Sequence, residues 1–176
     1  MMDMLNAIFH RRSVRQYTED SIPEEKLNAI LYAGLAAASS KNRRPWEFVV
    51  VRDKAMLAKL SNCRPGAGNL LGKCNAAIVV SADSELVDVW VEDCASAITQ
   101  MHLMADALGV GSCWLQVRMR KTPDGARDTQ DVVKELLGIP EKYGVMAMLI
   151  LGIPAEHPGA RTVDDLLLNK IHHERF

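Results

Sequence analysis

The sequence has almost no net charge and no long apolar run. Its 176 residues carry 21 Lys and Arg against 22 Asp and Glu, which gives a formal charge of −1. An extended polyanion such as a nucleic acid is therefore not expected as the main partner. No segment approaches the roughly 20 consecutive apolar residues of a membrane-crossing helix, so no membrane partner is expected. The length predicts a single domain, residues 1–176.

Cysteine is sparse, and its spacing matches no common metal site. Cys63, Cys74, Cys94 and Cys113 form no C-x-x-C pair and no paired His–Cys pattern, so no structural zinc is predicted. The first residues also lack the order of a secretory signal, because the basic residues follow the apolar stretch. Reduced, buried thiols in a cytoplasmic protein are the simplest interpretation.

The common catalytic motifs are missing as well. The sequence contains no H-E-x-x-H, no G-x-x-x-x-G-K-[ST], no G-x-S-x-G and no EF-hand loop. The segment 109–112 (GVGS) is only a fragment of a dinucleotide fingerprint, and it follows a predicted helix rather than a strand. His172 and His173 are adjacent and point to different sides, which argues against a shared metal. Neither catalytic side chains nor metal ligands are predicted.

Apolar periodicity predicts strands that alternate with helices. Strands are expected at 46–52, 76–82, 110–117 and 145–153, and helices at 3–10, 26–38, 53–62, 86–108 and 129–138. Ser21 and Glu24 predict a capping box for the second helix, and Gly109 is expected to end the long fourth one. The pattern is compatible with a mixed α+β fold or an α/β sandwich. The tail after residue 154 is too weakly apolar for a core of its own.

Two basic clusters stand out. Arg11, Arg12 and Arg15 surround Ser13, a combination of forked cations and a hydroxyl that suits a phosphate. The alternative is a solvated helix end whose cations favour the helix dipole. The pair Arg43–Arg44 lies in a polar loop that could equally be an ordinary surface loop. A nucleic-acid site built from both clusters is disfavoured, because no basic stripe interleaved with aromatics accompanies them.

Five segments carry a resemblance that runs over essentially the whole chain. They are 11–17 (RRSVRQY), 39–48 (SSKNRRPWEF), 107–114 (ALGVGSCW), 137–141 (LGIPE) and 171–176 (IHHERF). In this order they resemble the nitroreductase family of FMN-dependent oxidoreductases. The resemblance implies an α+β fold with a central, mainly antiparallel sheet flanked by helices, and an intertwined homodimer. In such a dimer the helix at 86–108 would lie in the core, and residues 155–176 would form a C-terminal arm on the partner subunit.

The resemblance also implies which residues hold the phosphate end of FMN and the pyrimidine edge of its ring. Arg11 corresponds to a phosphate ligand, and Arg12 and Ser13 to neighbouring contacts with phosphate, ribityl chain or ring. Arg15 falls where a cation lies near the pyrimidine, where it would stabilise negative charge on the reduced ring. Arg161 corresponds to a phosphate-binding arginine of the C-terminal arm.

Five further residues are implied around the flavin ring. Ser39, Ser40 and Asn42 would cover the ring from the other subunit. Leu115 and Gln116 would lie on the strand that passes the flavin edge and offers a backbone N–H to N5.

The function that the resemblance implies is hydride transfer from NADH or NADPH, through bound FMN, to an electron-poor small molecule such as a nitroaromatic or a quinone, in a ping-pong reaction. Arg44 replaces the usual glutamine of the family's Q-P-W segment. This departure keeps open a non-catalytic flavin-binding or interaction protein as the alternative. The sequence leaves open the natural acceptor, the choice between NADH and NADPH, and whether Asn69 reaches the pyrimidine edge.

Overall fold

The centre of the fold is a four-stranded sheet. A computed structural model describes residues 4–176, with only the backbone described at Asn69; Asp3, a possible cap of the first helix, lies outside this range. The strands are β1 (Trp46–Val51), β2 (Ala76–Asp83), β3 (Gly111–Gln116) and β4 (Tyr143–Gly152). Their order is β1-β2-β4-β3, and every neighbouring pair is antiparallel. The α+β prediction is confirmed, and the α/β alternative is excluded.

Helices cover both faces of this sheet. They are α1 (Met4–His10), α2 (Glu24–Leu35), α3 (Lys54–Leu60), α4 (Gly68–Leu71), α5 (Trp90–Ala107) and α6 (Thr129–Leu137). Ile78 and Val80 of β2 pack towards α2 and α5, whereas Ala77 and Val79 pack towards α3, α4 and α6. Because both faces are covered, the inner strands are continuous apolar runs rather than alternating ones. Within the described residues, no helix is both long enough and apolar enough to span a membrane.

Several helix boundaries differ from the prediction; α2, expected at 26–38, spans Glu24–Leu35. No capping box forms at Ser21 and Glu24; instead the carbonyl of Pro23 accepts the first helical N–H groups of α2, without a side-chain cap. The long helix begins at Trp90 rather than at 86, because the preceding residues form turns around Asp83. The predicted end of that helix is confirmed, since Gly109 follows it with a φ of +71°.

Candidate functional site

The segment 11–17 is fixed along the outer edge of β3. The N–H of Val14 donates to the carbonyl of Ser112 at 2.9 Å, and the hydroxyl of Tyr17 donates back to the carbonyl of Val14 at 2.7 Å. The ring of Tyr17 lies so close to Gly152 that a Cβ there would be 2.5 Å from a ring carbon. Only glycine permits this approach, so the sheet itself determines where the side chains of residues 11–15 lie.

Three of the predicted phosphate ligands lie together. The backbone N–H of Arg161 donates to the carbonyl of Phe9 at 2.9 Å, and the guanidinium of Arg12 donates to the carbonyl of Gly159. Burial, and then repulsion by Arg161, lowers the pKa of Arg11, with a further contribution from Arg12. In the part of the chain that the structure describes, no carboxylate forms an ion pair with any of the three arginines. Asp106 offsets part of the charge of Arg11 without forming an ion pair with it. Three neighbouring arginines without a directly bonded carboxylate favour an anion.

A buried histidine contacts the innermost of these arginines. Nη1 of Arg11 donates to Nε2 of His102 at 3.1 Å, and Nδ1 of His102 bonds Oγ of Ser112 on β3 at 2.5 Å. Burial, followed by repulsion from Arg11, lowers the pKa of His102 to about 4. The imidazole is therefore neutral near pH 7.

A second cluster joins the start of the C-terminal segment to the protein body. Nδ1 of His10 lies 2.7 Å from one carboxylate oxygen of Asp106, and Nε2 of His157 lies 3.0 Å from the other. Their three ligand-type atoms lie within 4.8 Å of one another, so a metal centre has to be considered. However, the two imidazole rings are stacked at 4.3 Å with an interplanar angle of 18°. A metal lies close to the plane of each ring that binds it, and two nearly parallel planes do not meet at one ion. The geometry is that of a carboxylate accepting two hydrogen bonds.

The loop with Ser39, Ser40 and Asn42 lies at the opposite end of α5 from the arginines. The N–H of Ser40 donates to Oδ1 of Asp93, near the beginning of α5, at 2.8 Å. Asp106, beside Arg11, is 13 residues further along the same helix, a separation of about 20 Å at the rise of an α-helix. The structure therefore brings Arg11, Arg12, Ser13, Arg15 and Arg161 to one region and leaves the loop of residues 39–42 at the far end of α5.

Leu115 and Gln116, the two predicted site residues of β3, direct their backbone polar groups to opposite edges of the strand. Successive residues of an antiparallel strand direct their backbone polar groups to alternate sides. The carbonyl of Ser112 faces Val14, and the carbonyl of Gln116 accepts from Nη1 of Arg64 at 2.6 Å, so both residues face the outer edge. Leu115 then faces β4, and its side chain lies in the core. Of the two, Gln116 presents its backbone N–H at the edge of the sheet.

Two adjoining cavities share Arg15. One of about 290 Å³ is lined by Ser13, Arg15, Gln16, Glu156 and Pro158. The other, of about 540 Å³, is lined by Arg15, Gln16, Tyr17, Gly68, Leu70, Lys73 and Ala155. Their sizes are in the range of small-molecule sites. The predicted role of Asn69 falls on a side chain that lies outside the described residues.

Sequence reasoning missed His102, Asp106 and Lys73. The two residues of α5 belong to no motif, and their only signal is polarity at positions four apart in a largely apolar helix. Lys73 follows the glycine-rich segment before β2, but a single lysine after a turn carries no distinctive pattern.

Comparison with known proteins supports a common ancestry over nearly the whole chain. The model of the Nitroreductase family matches residues 8–63 and 63–153. A solved "FMN-dependent Nitroreductase" from Clostridium difficile is 41% identical, has a TM-score of 0.95, and the match covers 98% of this chain and 100% of that one. A protein of Archaeoglobus fulgidus named "Putative NADH dehydrogenase/NAD(P)H nitroreductase" is 38% identical over the full length of both chains. The same name is given to a protein of Methanothermobacter thermautotrophicus that is 36% identical, with 99% of this chain and 88% of that protein covered.

The antiparallel sheet, the arginine cluster on the edge of β3 and these matches lead to the same conclusion. The chain belongs to the nitroreductase family.

Proposed function

We propose that this chain is an FMN-dependent oxidoreductase that takes hydride from NADH or NADPH and passes it to an electron-poor small molecule. The observation that carries the proposal is the group of Arg11, Arg12 and Arg161, which lie together and, among the residues that the structure describes, form no ion pair with a carboxylate. The donor set suits the phosphate of FMN. The name of the Clostridium difficile neighbour includes FMN dependence, and that of the Archaeoglobus relative includes NAD(P)H.

The chemistry belongs to the cofactor, since a bound FMN accepts a hydride from one substrate and delivers it to the next. The chain itself binds and orients. Arg11, Arg12 and Arg161 would hold the phosphate, and Arg15 at the shared wall of the two cavities would place a cation near the pyrimidine. The N–H of Gln116 at the edge of β3 would be the donor towards N5. A ping-pong sequence follows if both substrates use the same open face of the ring.

The proposed assembly is a homodimer in which each FMN site takes residues from both chains. Two features of the chain support it. The loop at 39–42 lies about 20 Å along α5 from the arginine cluster, so one chain alone does not bring Asn42 to the same site. In addition, large apolar side chains are exposed on α1 and on the tail; they include Leu5 at 64%, Leu167 at 67% and Ile171 at 59% exposure. A second copy would cover them.

The alternative is a flavin-binding protein without efficient turnover, and one contact favours it. Nε of Arg44 donates to Oδ1 of Asn42 at 2.9 Å. The residue that departs from the family pattern thus engages the amide that would cover the ring.

Identification and reduction of the bound cofactor test both candidates. Purified protein is expected to be yellow and to release FMN when denatured, as chromatography of the supernatant will show. Mixing the loaded protein with NADH or NADPH under anaerobic conditions should bleach the flavin absorbance, and a quinone or nitroaromatic should restore it. Recovery of FAD, or no flavin uptake from excess FMN, contradicts the proposal. Bound FMN that neither nucleotide reduces supports the alternative.

A further inference from the structure

Arg11 is oriented from its inner side by a hydrogen-bond acceptor without charge. His102 is 7% exposed and lies on α5, and its Nε2 accepts from Nη1 of Arg11 at 3.1 Å. The other imidazole nitrogen bonds the hydroxyl of Ser112. Ser112 is itself fixed, because it lies in β3 and its carbonyl accepts from Val14.

These contacts determine the tautomer of the histidine. A guanidinium has N–H donors only, so Nε2 must present its lone pair to Arg11. The proton of the neutral ring is therefore on Nδ1, where it is donated to the hydroxyl of Ser112. Protonation of Nε2 would bring two donors face to face and break the contact with Arg11.

A neutral hydrogen-bond acceptor can orient the guanidinium of Arg11 without cancelling its positive charge. Arg11 is repelled by Arg161 and Arg12 and attracted by Asp106, which forms no ion pair with it, so without an inner hydrogen-bond partner its guanidinium would be free to turn away from the other arginines. A carboxylate could hold it, but a carboxylate would also neutralise the charge that attracts a phosphate. An imidazole fixes the orientation and leaves the positive charge available.

We propose that His102 is a positioning residue that aligns Arg11 with the phosphate of the bound ligand. The proposal rests on the proposed function, because it takes that phosphate to be the one on FMN. It predicts that His102 contributes to the affinity for FMN and makes no contribution to the affinity for riboflavin, which lacks the phosphate.

Two substitutions that differ by one methylene separate this role from simple packing. His102→Asn carries its amide near the position of Nδ1, within reach of Ser112 but short of Arg11. His102→Gln carries its amide oxygen to about the position of Nε2, where it can accept from Arg11. Flavin-free protein is titrated with FMN and with riboflavin, and binding is followed by flavin fluorescence. We expect His102→Asn to weaken FMN binding about tenfold with riboflavin binding unchanged, and His102→Gln to restore the preference for FMN.

Equal losses for both flavins in His102→Asn, or no loss for either, would overturn the proposal. A wild-type protein that does not prefer FMN to riboflavin would overturn it too, together with the phosphate role of Arg11. Nitrogen-15 NMR of the wild-type holoprotein gives an answer that does not depend on the folding of a variant. The spectrum should show His102 as the Nδ1–H tautomer, and a proton on Nε2 would contradict the inference.

Discussion

Three residues in the loop between α2 and β1 have backbones in the left-handed region without being glycine. They are Lys41, Asn42 and Arg44, with φ values of 51°, 55° and 48°. Each such residue costs about 1–2 kcal/mol unless its surroundings compensate. Here Asp93 accepts from the N–H of Ser40, and the Ser39 hydroxyl accepts from the N–H of Arg44. A strained loop held in this way is typical of a functional segment, which supports the proposed role of residues 39–42 over a partner's flavin.

The buried histidine makes folding stability depend on pH. Its pKa is about 4 in the folded chain, below the value of about 6.5 in an unfolded chain. The unfolded chain therefore binds the proton first as the pH falls, and stability is lost between about pH 6.5 and 4. From pH 7 to pH 5, this group is expected to reduce the free energy of unfolding by about 2 kcal/mol.

The measurement is urea unfolding of flavin-free protein at pH 7 and pH 5, at one protein concentration. His102→Gln is the matched control, because the amide does not titrate while the other histidines remain. The wild type should lose about 2 kcal/mol more than the variant between the two pH values. Equal losses in the two proteins would show that His102 is not buried in its neutral form.

The sequence predicted the arginines of the proposed site but not His102 and Asp106, which surround them. Arg11, Arg12 and Arg15 are close in sequence, so their cluster is visible without a structure. His102 is 91 residues from Arg11, and Asp106 is 96 residues from His10. Only the packing of α1 against α5 brings them together, and no local pattern encodes that contact.

At the level of elements, α5 separates the two parts of the proposed site. Its apolar circumference correctly predicted a buried helix, because Ala97, Ile98 and Met101 pack beneath the sheet. Its first turn was placed too early, because Leu86 and Val87 continue the apolar pattern into a turn whose geometry is determined by Asp83. The sheet was predicted well, since its strands are long apolar runs. Their antiparallel order depends on long-range pairing that periodicity does not reveal.

The C-terminal segment has two proposed roles that can be tested separately: its apolar tail contacts the partner subunit, and Arg161 binds the phosphate. Deletion of residues 162–176 leaves Arg161 and His157 in place. It removes a set of exposed apolar side chains: Val163, Leu166, Leu167, Leu168, Ile171 and Phe176. Because these make little contact with their own chain, we expect the truncated protein to keep its fold but to dissociate into monomers in analytical ultracentrifugation. FMN retention should fall as well, since each proposed site needs both chains.

Arg161→Gln is the matched variant for this deletion. It keeps the apolar tail and removes only the cation, so it should remain dimeric while its affinity for FMN falls and that for riboflavin does not. If the truncated chain sediments as a dimer with full flavin content, the tail is not an arm on the partner subunit.

For the whole molecule, the described chain carries the two halves of the proposed site at opposite ends of α5. At one end, Asp93 accepts from the N–H of Ser40 in the loop of Asn42. At the other end, His102 accepts from Arg11, and Asp106 attracts the charge of Arg11. The two ends of α5 lie about 20 Å apart, so we propose that the two ends of one α5 do not serve the same FMN. In a symmetric dimer each chain would instead give its arginine cluster to one site and its loop to the other.

A mixed dimer tests this division directly. One chain carries Arg11→Gln, the other carries Asn42→Ala, and the heterodimer is isolated through two different affinity tags. If the two residues of one site come from different chains, one site of the heterodimer has both defects and the other has none. We therefore expect one site per dimer with wild-type affinity for FMN, whereas each homodimeric variant has none. Titration of the three dimers with FMN measures this stoichiometry. A heterodimer without any wild-type site would place Arg11 and Asn42 of one site on the same chain and would contradict the proposed assembly.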